Sequence, residues 1–401
     1  MSLLLSLQLL LLFLLTISSL IACGLQVQAP AQQSRGRPFH KIYAFGDSFT
    51  DTGNTGNANG PSGFGHVSNP PYGMTFFHHP TNRYSDGRLV IDFVAEALSL
   101  PYLPPYRNVV VDTSKGGPGS RISGTSSSSG GVNFAVAGST AINHDFFVKN
   151  NLTLDMTPES ILTQLVWFNR YLEGNEGCKG AAYSRPCEVA FREALVWVGE
   201  IGVNDYAYTI GSSVAWDTVQ KLAIDTVVAF LDSLLRMGAR YMVVQGLPPT
   251  GCLPLAMFLA GEDEKDDIGC VKRANDQTGA HNTVLQLKLN HLRNKYPRAL
   301  ILYADYWNAY RAVMKSPPSR YGFTERFKAC CGSSDSPYNF SPFATCGTPS
   351  ARACQKPSQY INWDGVHLTE AMYGVVSNMF LTGNFSHPPF NSLLASAAID
   401  N

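Results

Sequence analysis

Five short apolar segments, rich in β-branched and aromatic residues, recur along the chain and end at or just before glycine or aspartate. Each has the length of a buried strand, and none alternates regularly between apolar and polar positions. Near-continuous apolar runs are typical of parallel strands that are covered on both faces. The pattern therefore predicts five parallel strands, over residues 41–47, 132–137, 194–199, 241–246 and 299–304.

Stretches in which apolar residues recur with the helical period separate these strands. Asp86, Thr157 and Thr369 stand where N-caps belong, and Gly238 and Gly383 stand where helices stop. Strands that alternate with helices predict an α/β fold, a parallel sheet between two helical layers. The helices are expected over residues 86–98, 158–172, 215–237, 268–296 and 370–381.

The N-terminus carries a leucine-rich apolar run over residues 3–22, followed by small residues. This pattern predicts a signal peptide over residues 1–29 and therefore export from the cell. The run is nearly long enough to span a bilayer, so an uncleaved signal anchor, which would hold the protein in the Golgi lumen, is the alternative. Beyond the leader, the sequence predicts one folded domain over residues 38–386 and a C-terminal tail over residues 387–401.

Cysteine usage agrees with export. Nine cysteines occur, of which Cys23 falls inside the leader and eight remain. An even number in an exported chain predicts disulfides, whereas a metal site would call for Cys-x-x-Cys or interleaved histidines, which the sequence lacks. We expect no metal and no other cofactor. Two pairs bracket short loops and the others form a cluster that can pair within itself: Cys178 with Cys187, Cys252 with Cys270, and Cys330, Cys331, Cys346 and Cys354.

The charge balance and the glycosylation motifs also fit a secreted protein. Lysine and arginine together number 30, as do aspartate and glutamate, so the net charge is near zero and gives no basis for a nucleic-acid partner. Asn151-Leu-Thr, Asn384-Phe-Ser and Asn339-Phe-Ser match the N-glycosylation motif, although Pro342 directly follows the third. We expect a monomer, with no stable membrane partner unless the leader is retained.

The segment Ala-Phe-Gly-Asp-Ser-Phe-Thr-Asp-Thr-Gly-Asn, residues 44–54, can supply an activated hydroxyl. The first predicted strand ends near Gly46, which places Ser48 in the turn that enters the next helix, at the carboxyl edge of the sheet where ligands bind. Backbone N–H groups at a helix N-terminus also favour negative charge there. The alternative is that Ser48 only caps a helix.

A second segment places the carboxylate of Asp364 three residues before His367, directly ahead of the last helix. This spacing lets Asp364 accept a hydrogen bond from one ring nitrogen of His367 while the other ring nitrogen faces a hydroxyl. The alternative is a capping aspartate beside an incidental surface histidine. Two further strand ends offer donors for an oxyanion: the side-chain amide of Asn204 after the third strand, and the backbone N–H of Gly138 after the second.

Together these segments resemble the plant-type GDSL esterase/lipases of the SGNH hydrolase superfamily, with similarity over residues 39–385. Phe49 stands where leucine is usual in that family, and Val203 stands where many relatives have glycine. The stretch Arg-Tyr-Ser-Asp-Gly-Arg-Leu at residues 83–89 is also family-like. Four blocks of the family occur in order along the chain: Gly46-Asp-Ser-Phe49, Gly138, Gly202-Val-Asn-Asp205 and Asp364-Gly-Val-His367.

The resemblance implies a flavodoxin-like three-layer α/β/α sandwich with a five-stranded parallel sheet, and a secreted or cell-wall carboxylic-ester hydrolase. It implies Ser48 as nucleophile, His367 as base and Asp364 as the residue that orients the base. It also implies an oxyanion hole made by the backbone N–H groups of Ser48 and Gly138 and the side chain of Asn204. Substrates would be lipids, small acyl esters or acetylated polysaccharide. The alternatives are an acyltransferase that uses the same residues, or a non-catalytic binding protein that retains the fold.

Overall fold

The structure is a computed structural model, and it describes residues 38–57, 65–109, 130–152, 154, 157–179, 183–262, 264–333 and 337–400. The predicted signal peptide or anchor lies outside these ranges and stays a prediction. None of the helices within the described ranges combines the length and the hydropathy that a bilayer crossing requires.

Strands from most of the chain meet in one central sheet. The strands are β1 (Lys41–Phe45), β2 (Gly131–Asn133), β3 (Ala194–Val198), β4 (Tyr241–Gln245), β5 (Leu300–Ala304), β6 (Glu325–Ala329), β7 (Cys331–Gly332), β8 (Arg352–Ala353), β9 (Tyr360–Asn362) and β10 (Ser386–His387). The central sheet has the order β10-β5-β4-β3-β1-β2. The five predicted strands pair in parallel, and the unpredicted β10 adds an antiparallel edge beside β5.

Helices cover both faces of this sheet. They are α1 (Val90–Ala97), α2 (Tyr106–Val109), α3 (His144–Lys149), α4 (Ile161–Glu176), α5 (Arg185–Arg192), α6 (Val203–Tyr208), α7 (Trp216–Met237), α8 (Pro254–Ala260), α9 (Lys272–Lys295), α10 (Tyr306–Lys315), α11 (Pro318–Tyr321), α12 (Glu370–Leu381) and α13 (Phe390–Asp400). Side chains of α4, α5, α7 and α9 pack against one face. Those of α1, α10, α12 and α13 pack against the other.

The third strand illustrates why the predicted strands lack alternation. β3 reads Ala-Leu-Val-Trp-Val and is buried throughout. Leu195 and Trp197 pack under one helical layer, whereas Val196 and Val198 pack under the other. Since both faces of the strand need apolar side chains, every position is apolar. The predicted three-layer α/β/α sandwich is confirmed.

Helix boundaries follow the predicted caps at some positions and not at others. Thr369 caps α12, since its hydroxyl accepts the Met372 N–H at 3.2 Å, and α7 ends where Gly238 adopts a φ of 115°. By contrast, α4 begins after Ser160 and not after Thr157, and α9 begins at residue 272 because the chain first turns at residues 266–271.

The N-cap predicted at Asp86 is wrong. Helix α1 begins only at Val90, and the Asp92 carboxylate accepts the N–H of Leu89 at 2.9 Å. Asp86 instead accepts the N–H of Glu370 at 2.7 Å, the first residue of α12. The aspartate therefore caps a helix that lies 284 residues further along the chain.

The helix predicted directly after Ser48 is also wrong. Only a single turn forms, in which the carbonyl of Asp47 accepts the N–H groups of Thr50 and Asp51 at 3.1 and 2.9 Å. The next α-helix of the described residues is α1. A helix dipole therefore contributes nothing at Ser48, and any stabilisation of negative charge there depends on individual N–H groups.

The sequence predicted a C-terminal tail over residues 387–401. In the structure this segment packs against the domain, up to the last described residues. β10 pairs with β5, and α13 buries three side chains in the core beneath α12, those of Phe390, Leu393 and Ala397.

Candidate active site

Four segments converge at the carboxyl ends of three neighbouring strands, β3, β1 and β2. Ser48 follows β1, Gly138 follows β2 and Asn204 follows β3. The loop that carries Asp364 and His367 joins β9 to α12. The structure thus brings together all five residues that the sequence singled out for chemistry, at the sheet edge that the parallel topology predicts.

Ser48, His367 and Asp364 form one continuous line of hydrogen bonds. The Oγ of Ser48 lies 2.7 Å from Nε2 of His367. Nδ1 of His367 lies 2.9 and 2.8 Å from the two carboxylate oxygens of Asp364. This is the geometry in which an imidazole can remove a proton from a hydroxyl while a carboxylate stabilises the imidazolium that forms.

The carboxylate of Asp364 is held as an anion. It accepts the backbone N–H groups of Val366 and His367 at 3.0 and 2.9 Å, and the hydroxyl of Tyr72 at 2.7 Å. Burial alone would raise the pKa of Asp364, but the neighbouring His367 and these hydrogen bonds lower it to about 2. Asp364 therefore stays ionised throughout the pH range in which a histidine titrates.

Two aromatic rings confine the imidazole of His367. The ring of Tyr84 lies 4.5 Å and that of Phe49 5.4 Å from the imidazole, centroid to centroid. Phe49 is buried, so the phenylalanine that replaces the usual leucine packs behind the turn and fixes the base. Sequence reasoning missed Tyr72 and Tyr84, although Tyr84 lies in the family-like stretch at residues 83–89.

Disulfides support the loop that carries Asp364. Cys330 pairs with Cys354, and the backbone N–H groups of Cys330 and Cys331 donate to the carbonyls of Asn362 and Trp363 at 2.9 and 2.6 Å. The full set of bonds agrees with the predicted pairing: Cys178–Cys187, Cys252–Cys270, Cys330–Cys354 and Cys331–Cys346.

The turn at Ser48 requires a glycine before it. Gly46 has a φ of 147°, and a Cβ atom at this position would lie 2.1 Å from the carbonyl oxygen of Gly199. A side chain at residue 46 would therefore separate β1 from the loop after β3. The backbone N–H of Ser48 makes no hydrogen bond with any residue that the structure describes, so it is available to a ligand.

The backbone N–H of Gly138 also makes no hydrogen bond with any described residue, so it is available to a ligand. Gly138 adopts a φ of 79°, and its carbonyl accepts the hydroxyl of Tyr208 at 2.8 Å. The Asp205 carboxylate accepts the N–H groups of Ala141 and Ile142, both at 2.8 Å. These contacts hold the loop after β2 in one orientation, so that the Gly138 N–H keeps its direction.

Asp51 ties the Ser48 turn to the Gly138 loop. One carboxylate oxygen accepts the N–H groups of Gly53 and Asn54 at 2.7 and 2.6 Å. The other accepts the N–H and hydroxyl of Thr55 at 3.0 and 2.6 Å, and the N–H of Ala137 at 3.1 Å. Asp51 is fully buried and stands within the family-like segment at residues 44–54, but no sequence pattern indicated this role.

The amide of Asn204 is engaged at both of its hydrogens. Its Nδ2 donates to the carboxylate of Asp47 at 2.8 Å and to the carbonyl of Ser139 at 3.0 Å. Since both partners are acceptors, the nitrogen of the amide must face them. An incoming oxyanion could draw one of these hydrogens, because a charged acceptor forms a stronger hydrogen bond than a carbonyl.

The remaining predicted sites lie apart from this cluster. Asn151 and Asn384 are exposed, whereas Asn339 is partly buried and its Nδ2 donates to the carbonyl of Ala329 at 2.8 Å. Glycosylation of these asparagines stays a prediction. Over the described ranges, no group of three or more histidine, cysteine, aspartate or glutamate side chains is placed to hold a metal ion.

A three-layer α/β/α fold, with a serine, a histidine and an aspartate hydrogen-bonded in line at the carboxyl edge of the sheet, defines the class of serine hydrolases. Comparison with known proteins narrows that class. A family model described as GDSL-like lipase/acylhydrolase matches residues 42–380. The chain belongs to this family and is a carboxylic ester hydrolase.

Individual relatives agree with that assignment. GDSL esterase/lipase At3g48460 of Arabidopsis thaliana is 60% identical over 358 residues, which cover 89% of this chain and 90% of the relative. GDSL esterase/lipase At2g27360 of the same plant is 37% identical, with 92% and 91% covered. Acetylajmalan esterase 2 of Rauvolfia serpentina is 38% identical, with 84% and 88% covered. The family resemblance predicted from the sequence is confirmed.

Proposed function

We propose that this protein is a secreted esterase that cleaves its substrate through an acyl-enzyme on Ser48. The observation that carries the proposal is the 2.7 Å contact between Ser48 Oγ and His367 Nε2, with Asp364 bonded to the opposite ring nitrogen. His367 takes the proton of Ser48 as the oxygen attacks the ester carbonyl, and later gives that proton to the leaving alkoxide. A water molecule, deprotonated by the same imidazole, then releases the acyl group.

The oxyanion formed in each half of the reaction meets three donors in this proposal. The backbone N–H groups of Ser48 and Gly138 have no acceptor among the described residues, which supports their assignment. The third donor is the amide of Asn204, which shares a hydrogen that the carbonyl of Ser139 otherwise accepts. Removal of one such donor typically lowers kcat by about 10²–10³.

Short acyl esters are the substrates that we propose. The side chains that would act are nearly enclosed, with Ser48 4% and His367 5% exposed, which favours a small acyl group over a long chain. The relative named acetylajmalan esterase 2 supports an acetyl group as the acyl part. We therefore propose acetate esters of small alcohols or of polysaccharides over long-chain lipids.

Turnover by a matched pair of serine variants tests the mechanism. Ser48→Ala should abolish hydrolysis of p-nitrophenyl acetate, and the exposed Ser213→Ala should leave it unchanged. Residual turnover by a folded Ser48→Ala variant at the wild-type rate would refute the assignment. A panel from p-nitrophenyl acetate to the palmitate, with acetylated xylan, tests the substrate class, and faster turnover of the palmitate would contradict it.

Export is supported by the four disulfides, which persist in oxidising compartments. Expression of the full chain in plant cells, followed by N-terminal sequencing of the protein in the medium, tests this part of the proposal. We expect a mature protein that begins after the leader. Retention in Golgi membranes with an intact N-terminus would instead establish the signal anchor.

A further inference from the structure

Two fully buried carboxyl side chains lie against each other behind the Ser48 turn. Asp47 directly precedes Ser48, Glu200 follows β3, and neither has exposed surface. The two side chains are in hydrogen-bonding contact with each other, and the strongest charge effects on the pair come from the two carboxyls themselves, His367 and Asp205, none of which is a lysine or arginine. Two buried anions without a cation would repel each other strongly, so the pair is expected to hold a proton.

The surrounding hydrogens locate that proton. The carboxylate of Asp47 accepts the N–H of Phe49 at 3.0 Å and the amide of Asn204 at 2.8 Å. Neither oxygen of Glu200 accepts a hydrogen bond of normal geometry from any described residue. The nearby N–H of Val203 favours the Glu200 anion, but burial and the Asp47 carboxylate, which raise the pKa of Glu200, outweigh it. Among the described residues, the hydrogen between the two carboxyls can therefore only be an acid proton, and it belongs to Glu200 because both oxygens of Asp47 already accept other hydrogens.

The electrostatics agree with this placement. Burial raises the pKa of Glu200 well above its usual value, and the charge of Asp47 raises it further. Burial also raises the pKa of Asp47, but only to about 6, because the Glu200 hydrogen bond and the N–H of Phe49 stabilise its anion. At neutral pH, Glu200 is the acid and Asp47 the anion.

The charge of Asp47 determines how the Asn204 amide is oriented. An ionised carboxylate only accepts hydrogen bonds, so it requires the amide nitrogen on its side. A protonated Asp47 could donate to the amide oxygen and would allow the amide to turn over. The charge of Asp47, the residue directly before Ser48, thus holds the Asn204 nitrogen in the position on which oxyanion binding depends.

We propose that Glu200 is a positioning residue of the esterase site: as a neutral acid it donates a hydrogen bond to Asp47, and the Asp47 carboxylate in turn holds the Asn204 amide with its nitrogen ready for the oxyanion. This inference rests on the proposed oxyanion role of Asn204. Neither carboxyl touches substrate, so both act through Asn204.

The other titratable groups around the pair favour an ionised Asp47 and a neutral Glu200 at neutral pH. His367 faces Asp47 from the α12 side and favours its anion. Asp205 faces Glu200 and disfavours a second negative charge there. Tyr306 and Tyr373 also face the pair, and burial raises the pKa of each phenol well above its usual value, so both remain neutral.

Two variants of Glu200 test the proposal with p-nitrophenyl acetate as substrate. In Glu200→Gln the new amide can donate a hydrogen bond to Asp47, so kcat should stay within about threefold of wild type. Glu200→Leu has no donor, and we expect kcat to fall about tenfold or more. The acid limb of its kcat profile should also move to higher pH, because the Asp47 anion loses a hydrogen bond that lowers its pKa.

Two outcomes would overturn the proposal. If both variants keep the kcat and the pH profile of wild type, a positioning role is excluded. If both lose kcat to the same extent, Glu200 does not act as a neutral hydrogen-bond donor. If Glu200→Leu fails to fold, an infrared difference spectrum between wild type and Glu200→Gln tests whether Glu200 is a neutral acid. The wild type at neutral pH should contain a carboxylic-acid C=O band that Glu200→Gln lacks, and a spectrum without that band contradicts the proposal.

Failure of this inference can be told apart from failure of the proposed function. An organophosphonate should label Ser48 in wild type and in both variants, whatever the role of Glu200, whereas absence of labelling in wild type would refute the nucleophile itself. The double variant Asn204→Ala/Glu200→Leu should lose less than the product of the two single losses, because Glu200 acts through Asn204. Fully multiplicative losses would contradict that route.

Discussion

Replacement of Asp51 by alanine should loosen the whole candidate site without touching any group that reacts. The carboxylate accepts five hydrogens, from residues 53, 54 and 55 and from Ala137, and it is fully buried. In the alanine variant the N–H of Ala137 keeps a second acceptor, the hydroxyl of Thr55 at 2.9 Å. The other four hydrogens lose their only described acceptor.

The structure allows the cost to be estimated. A buried donor left without an acceptor costs about 1–3 kcal/mol. Four such donors, of which water can reach some after relaxation, predict a loss of at least about 4 kcal/mol in the free energy of unfolding. Stabilities of single domains are about 5–15 kcal/mol, so Asp51→Ala should be close to unfolding at growth temperature.

Chemical denaturation followed by circular dichroism measures this loss. The control is Asp276→Ala, since Asp276 is exposed and forms a salt bridge with Lys272 on the surface of α9; its unfolding midpoint should match that of wild type. The anchoring role of Asp51 would be refuted by two results together. The free energy of unfolding of Asp51→Ala would lie within about 1 kcal/mol of the wild-type value, and the variant would hydrolyse p-nitrophenyl acetate at the wild-type rate.

Three further predictions concern the reacting groups. Asn204→Ala should lower kcat by about 10²–10³ with an unchanged fold, and an unchanged kcat would remove this amide from the oxyanion hole. Tyr72→Phe removes a hydrogen bond to a charged group, worth about 1.5 kcal/mol, and should lower kcat/KM about tenfold; a value equal to wild type would mean that Asp364 does not depend on it. Hydrolysis should decline on acidification because only a neutral imidazole can accept the Ser48 proton, with no separate contribution from Asp364, whose pKa is about 2; a rate that stays flat to about pH 4 would contradict a histidine base.

Sequence patterns predicted those parts of the fold that neighbouring residues decide. The apolar runs located all five parallel strands, because burial on both faces acts on each strand alone. Thr369 and Gly238 were correct as helix ends, since a cap and a left-handed stop involve residues within one helical turn. Asp86 was misassigned because its partner, the N–H of Glu370, comes from a distant part of the chain.

The same distinction separates the parts of the candidate site. Ser48, Asp364 and His367 were predictable because short motifs carry them. Tyr72 was missed because its hydroxyl reaches a carboxylate 292 residues away, and no local pattern marks such a contact. The role that we propose for Glu200 had no sequence signal because it depends on burial beside Asp47, which only the folded chain creates.

Hydrolysis depends first of all on activation of the Ser48 hydroxyl by the His367 imidazole. Peptide mapping by mass spectrometry after treatment with a fluorophosphonate measures this directly, on the wild type and on His367→Ala. We expect a single adduct on Ser48 in the wild type and a reaction slowed by orders of magnitude in the variant. An adduct on a different serine, or equal labelling rates in the two proteins, would contradict it.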